Sequence, residues 1–189
     1  MRKLTASLFL TLDGVYEAPG SGDTTLPEHR GWSEPYMTPE LGEIIFSQMN
    51  ANDSLLMGRV TYEGFAAFWP HVPESDPFSA RMNGMTKYVV STTLDRVDWK
   101  HSELVKGDLA EAITALKARP GSDIGMTGSG RLVRSLIQRN LIDELQLCIC
   151  PVVLGAGKRL FDHDGQRATL QLADVKSGKN LSASQTACA

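Results

Sequence analysis

The sequence has little cysteine and no long apolar run. It carries three cysteines among 189 residues, and an odd number does not suit the disulfide framework of a small secreted protein. No apolar stretch approaches the roughly 20 residues that a membrane-spanning helix requires. The first residues also lack the long apolar core and the cleavage site of a secretory signal. We therefore expect a cytoplasmic protein that does not enter a membrane.

Positive charge is scarce as well. Lysine and arginine number 19 against 22 acidic residues, which gives a net charge of −3, and the basic residues form no run. Because binding to nucleic acid requires clustered positive charge, a nucleic-acid partner is excluded. The histidines stand at positions 29, 71, 101 and 163, which is not a metal-ligand spacing, so no metal site is predicted.

Two of the cysteines form a C-x-C pair, Cys148 and Cys150, inside an apolar run. In a strand, this spacing places both side chains on one face, where they could share a metal. No second cluster of cysteine or histidine accompanies them. Cysteines buried in a strand are therefore the favoured interpretation.

Apolar runs that suit buried strands alternate along the chain with segments of helical periodicity. The strand-like runs cover residues 3–12, 54–57, 87–91, 103–106, 123–126 and 144–153. One segment of helical periodicity begins after Thr38, a fitting N-cap. Three others cover residues 60–68, 109–116 and 131–139. This alternation predicts an α/β fold, a mostly parallel central sheet with helices on both faces. We find no repeat and no linker, so residues 1–189 are interpreted as one domain.

Glycine and hydroxyl side chains follow three of these strands. Gly128, Ser129 and Gly130 lie between a strand and a helix, where backbone amides can hold a phosphate. The alternative is an ordinary tight turn, since short glycine motifs match by chance. Because the carboxyl ends of parallel strands share one edge of the sheet, we expect a single ligand site there.

The other two strand ends carry an arginine and a group of hydroxyls. Arg59 and Thr61 follow Gly58 at the start of a helix, where a cation is disfavoured unless an anion binds. Ser91 and Thr92 follow the next strand, where their hydroxyls could bind a phosphate or could equally stabilise an ordinary turn.

Segments in this order resemble the dihydrofolate-reductase-like superfamily. Residues 57–63 are similar to a dihydrofolate reductase signature, and residues 127–131 to its glycine-rich turn. Residues 7–14, 143–145 and 151–161 look more like the reductase domain of riboflavin biosynthesis. The chain is thereby identified as a member of this superfamily, similar to the stand-alone riboflavin-type reductases. The resemblance implies the three-layer dihydrofolate reductase-like fold and a homodimer.

The resemblance also implies NADPH as the cofactor and assigns residues to it. Arg59 and Thr61, after Gly58, would contact its phosphates. Ser91 and Thr92 would lie near the 2′-phosphate. The pyrophosphate would lie against five consecutive residues, Gly128, Ser129, Gly130, Arg131 and Leu132. Leu12, Asp13 and Gly14 would lie beside the nicotinamide and the substrate.

The substrate would occupy a pocket bordered by Gly14, Trp32, Tyr36 and Cys148. Trp32 lies in a long polar loop, residues 15–35, of the kind that often serves a function, and Tyr36 directly follows this loop. The resemblance implies an acid that protonates the substrate, for which Glu40 and Asp13 are rival candidates. The alternative role of Glu40 is to interact with the helix dipole in the first turn.

Two functions remain open from the sequence. The first is an NADPH-dependent reductase of a small nitrogen heterocycle of the pterin, folate or ribosylated pyrimidine type. The second is a non-catalytic module that binds NADPH or another nucleotide. The polar residues 177–189 contain no aromatic side chain, which predicts a disordered tail and a weak or missing last strand.

Overall fold

Eight strands form one sheet in the computed structural model, which describes residues 1–161, 167–178 and 181–188. The strands are β1 (Leu4–Thr11), β2 (Asn52–Gly58), β3 (Thr86–Val90), β4 (Ser102–Val105), β5 (Asp123–Thr127), β6 (Glu144–Cys150), β7 (Leu170–Gly178) and β8 (Leu181–Cys188). The helices are α1 (Pro39–Asn50), α2 (Arg59–Phe68), α3 (Pro77–Gly84), α4 (Leu109–Ala118) and α5 (Gly130–Ile137).

The strand order across the sheet is β4-β3-β2-β5-β1-β6-β8-β7. All neighbours from β4 to β6 pair in parallel, whereas β8 is antiparallel to both β6 and β7. Strands β1 and β5, which are adjacent, lie near the middle. The predicted mostly parallel sheet is confirmed.

Helices cover both faces of this sheet because β2 is apolar on both sides. Leu56 lies in a core cluster with residues of α4 and α5, such as Leu136. Its neighbours Leu55 and Met57 lie in a second cluster with residues of α2 and α3, such as Tyr62. A strand that alternates between two apolar environments reads as a continuous apolar run. The three-layer arrangement follows from that pattern.

The helix starts follow local capping chemistry. The Thr38 hydroxyl accepts a hydrogen bond from the Leu41 amide at 3.3 Å, which caps α1 as predicted. The sequence analysis missed α3, although Asp76 caps it by accepting from the Ser79 amide at 2.8 Å. Within the described part of the chain, no helix combines the length and the apolar character needed to cross a membrane.

The end of the chain differs from the expectation of a disordered tail. Leu181–Cys188 forms β8, which pairs with β6 on one side and β7 on the other; residues 179–180 and 189 lie outside the described residues. The predicted weak or missing last strand is therefore wrong for β8. A strand between two neighbours forms backbone hydrogen bonds along both edges, so pairing outweighs its low intrinsic β propensity.

Candidate functional site

The ends of β2 and β5 are joined by the side chain of Ser129. Its hydroxyl accepts a hydrogen bond from the Gly58 amide at 2.7 Å and donates to the Thr61 hydroxyl at 2.7 Å. A Cβ atom at Gly58 would lie 3.0 Å from the Ser129 Oγ atom. Only glycine leaves this approach unhindered. Two of the sequence-predicted phosphate turns are thus in direct contact.

The backbone before α5 leaves the amides at the start of that helix uncapped. Gly128 and Ser129 both adopt positive φ values, of 85° and 59°. Ser129 is the N-cap residue, but its hydroxyl forms no capping hydrogen bond to the helix. The first amides, those of Gly130, Arg131 and Leu132, have no partner within a helix. Together with the helix dipole, they can hold an anion.

Tyr16, which the sequence analysis missed, lies against this helix start. A Cβ atom at Gly130 would lie 2.5 Å from the Tyr16 ring. Burial raises the pKa of the Tyr16 phenol, so the hydroxyl is neutral at physiological pH. No local signal distinguishes Tyr16 in the sequence, because the contact joins segments more than a hundred residues apart.

The two arginines assigned to phosphates differ in their surroundings. Arg59, the first residue of α2, pairs with Glu63 at 2.8 Å, and both side chains are about half exposed, at 45% and 47%. An exposed pair of this kind adds little stability, so an incoming phosphate can replace Glu63. Arg131 is exposed to solvent at the start of α5.

The Ser91 hydroxyl, directly after β3, forms hydrogen bonds within its own turn. The buried Ser91 hydroxyl accepts hydrogen bonds from the amides of Thr93, at 3.1 Å, and Leu94, at 3.0 Å. Thr92 is exposed. The structure thus places both residues at the carboxyl edge of the sheet as expected, with the Ser91 oxygen already used in a local turn.

Asp13, at the end of β1, fastens a distant segment of the chain. Its carboxylate accepts hydrogen bonds from the Thr11 hydroxyl at 2.6 Å and from the Gly155 amide at 2.9 Å. It also accepts from the Leu154 amide and from Arg159 at 3.3 Å each. The hydrogen bond from Thr11 is the main cause that lowers the Asp13 pKa to about 2. The side chain is therefore ionised at neutral pH and has no proton to donate.

Leu12 and Gly14, the neighbours of Asp13, also form hydrogen bonds to the segment of residues 152–160. The Leu12 amide donates to the carbonyl oxygen of Val152 at 2.9 Å, while the Leu12 side chain is 63% exposed. Gly14 adopts a φ of 79°, and its carbonyl oxygen accepts from the Leu160 amide at 2.9 Å. Residues 7–14 and 151–161, two of the segments that carry the riboflavin-type resemblance, thus meet here.

A cavity of about 450 Å³ lies between α1 and the sheet. Most of its lining is apolar, and it includes Leu41 and Ile45 of α1 and Phe65 of α2. Cys148 contributes the thiol that the sequence analysis placed beside the substrate. None of the described residues that line this cavity is an aspartate or a glutamate. The cavity suits a flat, largely apolar ring.

A polar groove of about 540 Å³ adjoins this cavity, and Gln48, Asn52 and Gln146 line both. Glu40 borders the groove but not the cavity. Its pKa is lowered, first by a hydrogen bond from its own backbone amide and then by Thr38, as expected for an acid in a helical first turn. The sequence analysis missed the three amide side chains, which lie in separate elements.

The two aromatic residues predicted for the pocket do not line the cavity. Trp32 is buried within its own loop, where its indole nitrogen donates to the carbonyl oxygen of Glu17 at 2.7 Å. Tyr36 ends a short 3-10 turn at Glu34–Tyr36. The long loop thus folds on itself, because the indole N–H finds its partner there.

The strand-end turns and the cavity share the same elements. Thr127 lines the cavity and directly precedes Gly128, and Phe65 lines it from α2, one turn after Thr61. A ligand bound at the start of α5 can therefore extend along β5 towards the cavity. This juxtaposition fits a dinucleotide beside a small ring.

Comparisons with known proteins agree with this geometry. Two proteins of Bacillus subtilis (strain 168), both described as uncharacterized, are similar in sequence. YyaP is 30% identical over 182 residues, which cover 93% of this chain and 89% of YyaP. YwjB is 29% identical over 167 residues, which cover 88% of this chain and 80% of YwjB.

Solved structures show the same fold at lower identity. A putative riboflavin biosynthesis protein from Shewanella sp. PV-4 has a TM-score of 0.75 at 21% identity, covering 99% of both chains. A pyrimidine reductase-like protein from Corynebacterium diphtheriae has a TM-score of 0.65 at 13% identity, covering 100% of this chain and 92% of its own. Dihydrofolate reductase from Enterococcus faecalis has a TM-score of 0.57 at 15% identity, covering 98% of this chain and 95% of its own.

These structures confirm the predicted dihydrofolate reductase-like fold. The family described as the RibD C-terminal domain matches residues 2–181, which is nearly the whole chain. The chain therefore belongs to the RibD C-terminal domain family.

Proposed function

We propose that this protein is an NADPH-dependent reductase of a small nitrogen heterocycle of the pterin, folate or ribosylated pyrimidine type. One observation carries the proposal: the uncapped amides before α5 and the apolar cavity beneath α1 share strand β5. The first feature suits a phosphate group and the second suits a flat ring. The family match and the reductase names of the structural neighbours support the same class of activity.

The residues at the strand ends fit the phosphates of a dinucleotide. Ser129 holds the ends of β2 and β5 together, which keeps the amides of Gly130 to Leu132 in place before a ligand arrives. Arg59 would neutralise a phosphate once it exchanges Glu63 for the ligand. Ser91 and Thr92 would border the adenosine side, where their strand ends.

The cavity would position the heterocycle and keep water away from it. NADPH, when bound, supplies the hydride, and the protein supplies position and surroundings. Leu41, Ile45 and Phe65 would cover the ring, and Cys148 would contact its edge from β6. The amides of Gln48 and Asn52 provide hydrogen-bonding groups where the cavity meets the groove.

The source of the proton follows from the state of the two acids. Asp13 is held ionised at a pKa of about 2 and fastens residues 154–159, so we assign it a positioning role. Glu40 has a lowered pKa and borders the groove, so it is suited to orient a water. We infer that a water in the groove, which donates a hydrogen bond to Glu40, passes a proton from bulk solvent to the substrate and takes up another from solvent in its place.

A binding measurement with a matched pair of arginine variants tests the cofactor site. We expect Arg59→Gln to raise the dissociation constant of NADPH about tenfold, since a charged hydrogen bond contributes roughly 1.5–3 kcal/mol. Arg96→Gln is the control, because Arg96 is 84% exposed and pairs with its near neighbour Asp98. Equal affinity in both variants would remove Arg59 from the site.

Turnover requires a separate experiment. NADPH oxidation should be followed spectroscopically with a panel of folates, pterins and ribosylated pyrimidines. We expect steady oxidation with at least one class of substrate. If calorimetry detects no binding of NADPH to the protein, the proposal as a whole is contradicted.

The alternative is a non-catalytic module that binds NADPH or another nucleotide. The absence of an acid among the described residues lining the cavity favours this function. It predicts tight NADPH binding without oxidation across the whole panel, whereas the reductase predicts both binding and oxidation.

A further inference from the structure

Cys148 and Cys150 lie on the same face of β6, two residues apart. In the register with β1, Cys148 is opposite Phe9 and Cys150 is opposite Thr11. Neither cysteine is in a disulfide. Because side chains alternate along a strand, both thiols point towards the face that carries α1 and the cavity.

The two thiols differ in access but contact each other. Cys148 is partly exposed and lines the cavity, while Cys150 is fully buried beside it. The interaction between the two neighbouring thiols lowers the pKa of Cys150 and raises that of Cys148. The first proton of the pair is therefore released more easily than that of an isolated thiol.

Thr11, which is opposite Cys150 in the register with β1, does not compete for this pair. The hydroxyl of Thr11 is already used, because it donates to Asp13 at 2.6 Å and accepts from the Val15 amide at 2.9 Å. Among the described residues, no histidine, aspartate or glutamate joins the cysteines in a group of three that could hold a metal. A four-coordinate zinc site is thus not supported, whereas a centre that needs only two sulfur ligands is.

A bridging atom also suits the backbone better than a direct bond. Alternate residues of a strand lie about 6.6 Å apart, which is close to the upper limit of the Cα–Cα distance in disulfides, about 6.8 Å. An atom placed between the two sulfurs relieves this constraint. Its organic substituent would face the apolar cavity lined by Leu41, Ile45 and Phe65.

We propose that Cys148 and Cys150 form a dithiol site for a trivalent arsenical with an aromatic substituent. In the reaction of phenylarsine oxide, two As–S bonds form, two S–H bonds break, and the oxide oxygen leaves with both protons as water. Arsenic stays trivalent, so no oxidant or reductant is needed. The phenyl group occupies the cavity, and the site does not depend on the proposed reductase activity.

Titration with phenylarsine oxide in the presence of a phosphine reductant tests the site. We expect one equivalent to bind by intact mass and the number of titratable thiols to fall by two. A dithiol such as dithiothreitol should reverse the binding, whereas glutathione at the same thiol concentration should not. The second As–S bond is intramolecular, so we expect each single serine variant, Cys148→Ser and Cys150→Ser, to bind about 100-fold more weakly.

The third cysteine supplies the matched control. Cys188→Ser should bind phenylarsine oxide as the unaltered protein does. Cys150→Ala, checked for its melting temperature, separates loss of the ligand from loss of the fold at this buried position. Unchanged binding in either the Cys148 or the Cys150 variants, or lost binding in Cys188→Ser, would overturn the proposal.

Discussion

The strand-end turns (Asp13, Gly58, Thr61 and residues 128–130) and the cavity beneath α1 share strand β5 and helix α2 but are held by different forces. The turns are fastened by hydrogen bonds, such as those of the Ser129 hydroxyl and the Asp13 carboxylate. The cavity walls are mostly apolar side chains that pack without such bonds. The turns are thus arranged before a ligand binds, whereas the cavity selects by shape.

This difference matches the two ligands that we propose. A phosphate group is the same in every reaction cycle, and fixed amides bind it without reorganisation. A heterocycle is recognised by the size of an apolar space and a few polar groups at its edge. The first three predictions test the two regions separately, and the last measures the open space in the cavity beside α1.

The largest expected effect is on the cavity. Gly42 lines it from α1, and a Cβ atom at this position would meet no other atom within 4 Å. Gly42→Trp should lower kcat/KM about 100-fold by displacing the substrate and leave NADPH affinity unchanged. Gly64→Trp is the matched control, because Gly64 is exposed on α2 and also has open space around it. Equal losses of NADPH affinity and turnover would show that the two regions are not separable.

The next effect is on the stability of the turns. Asp13→Asn should lower the free energy of unfolding by about 1–2 kcal/mol at pH 7, as expected when hydrogen bonds to a charged group are weakened. The Asp13 pKa falls from 3.8 to about 2 on folding. Its stabilisation is therefore complete above pH 3.8 and is lost as the pH falls through 2.

Denaturant titrations across this pH range measure the difference. The gap between the unaltered protein and Asp13→Asn should narrow between pH 4 and pH 2. Asp95→Asn, at an exposed position, should show no such gap. A gap that persists below pH 2 would contradict the positioning role of the carboxylate.

A smaller effect is expected at the junction of β2 and β5. Ser129→Ala removes the hydrogen bonds to the Gly58 amide and the Thr61 hydroxyl. We expect the dissociation constant of NADPH to rise about tenfold, which corresponds to roughly 1.4 kcal/mol. Ser135→Ala, at the other end of α5, is the control for calorimetry. Weakening by both variants alike would indicate a general effect on the helix.

The smallest effect is a gain. Gly42→Ala should raise the free energy of unfolding by about 0.5–1 kcal/mol, since alanine costs less entropy in a helix than glycine. A methyl group fits the open space, so turnover should change little. Thermal unfolding measures the gain, and a loss of stability would show that the cavity is narrower beside α1 than the structure indicates.

The sequence predicted β1 to β6 and the helices α1, α2, α4 and α5 because their signals are local. Thr38 caps α1 as expected, Asp108 caps α4 by the same chemistry, and Gly58 and Gly128 mark strand ends that meet. It did not predict the partners of Asp13, since the Gly155 amide is 142 residues away. It predicted Trp32 beside the substrate from its place in a long loop, and it did not predict that the indole nitrogen donates to the carbonyl oxygen of Glu17.

The order of strands and helices, the apolar runs and the glycine turns determined the α/β class and the edge of the sheet at which these turns lie. These follow from periodicity and backbone conformation, which neighbouring residues decide. Only the tertiary structure decided that Asp13 is a fastening group, that Ser129 joins two strands and that β8 completes the sheet. Those outcomes depend on contacts between residues far apart in the chain, which no local pattern specifies.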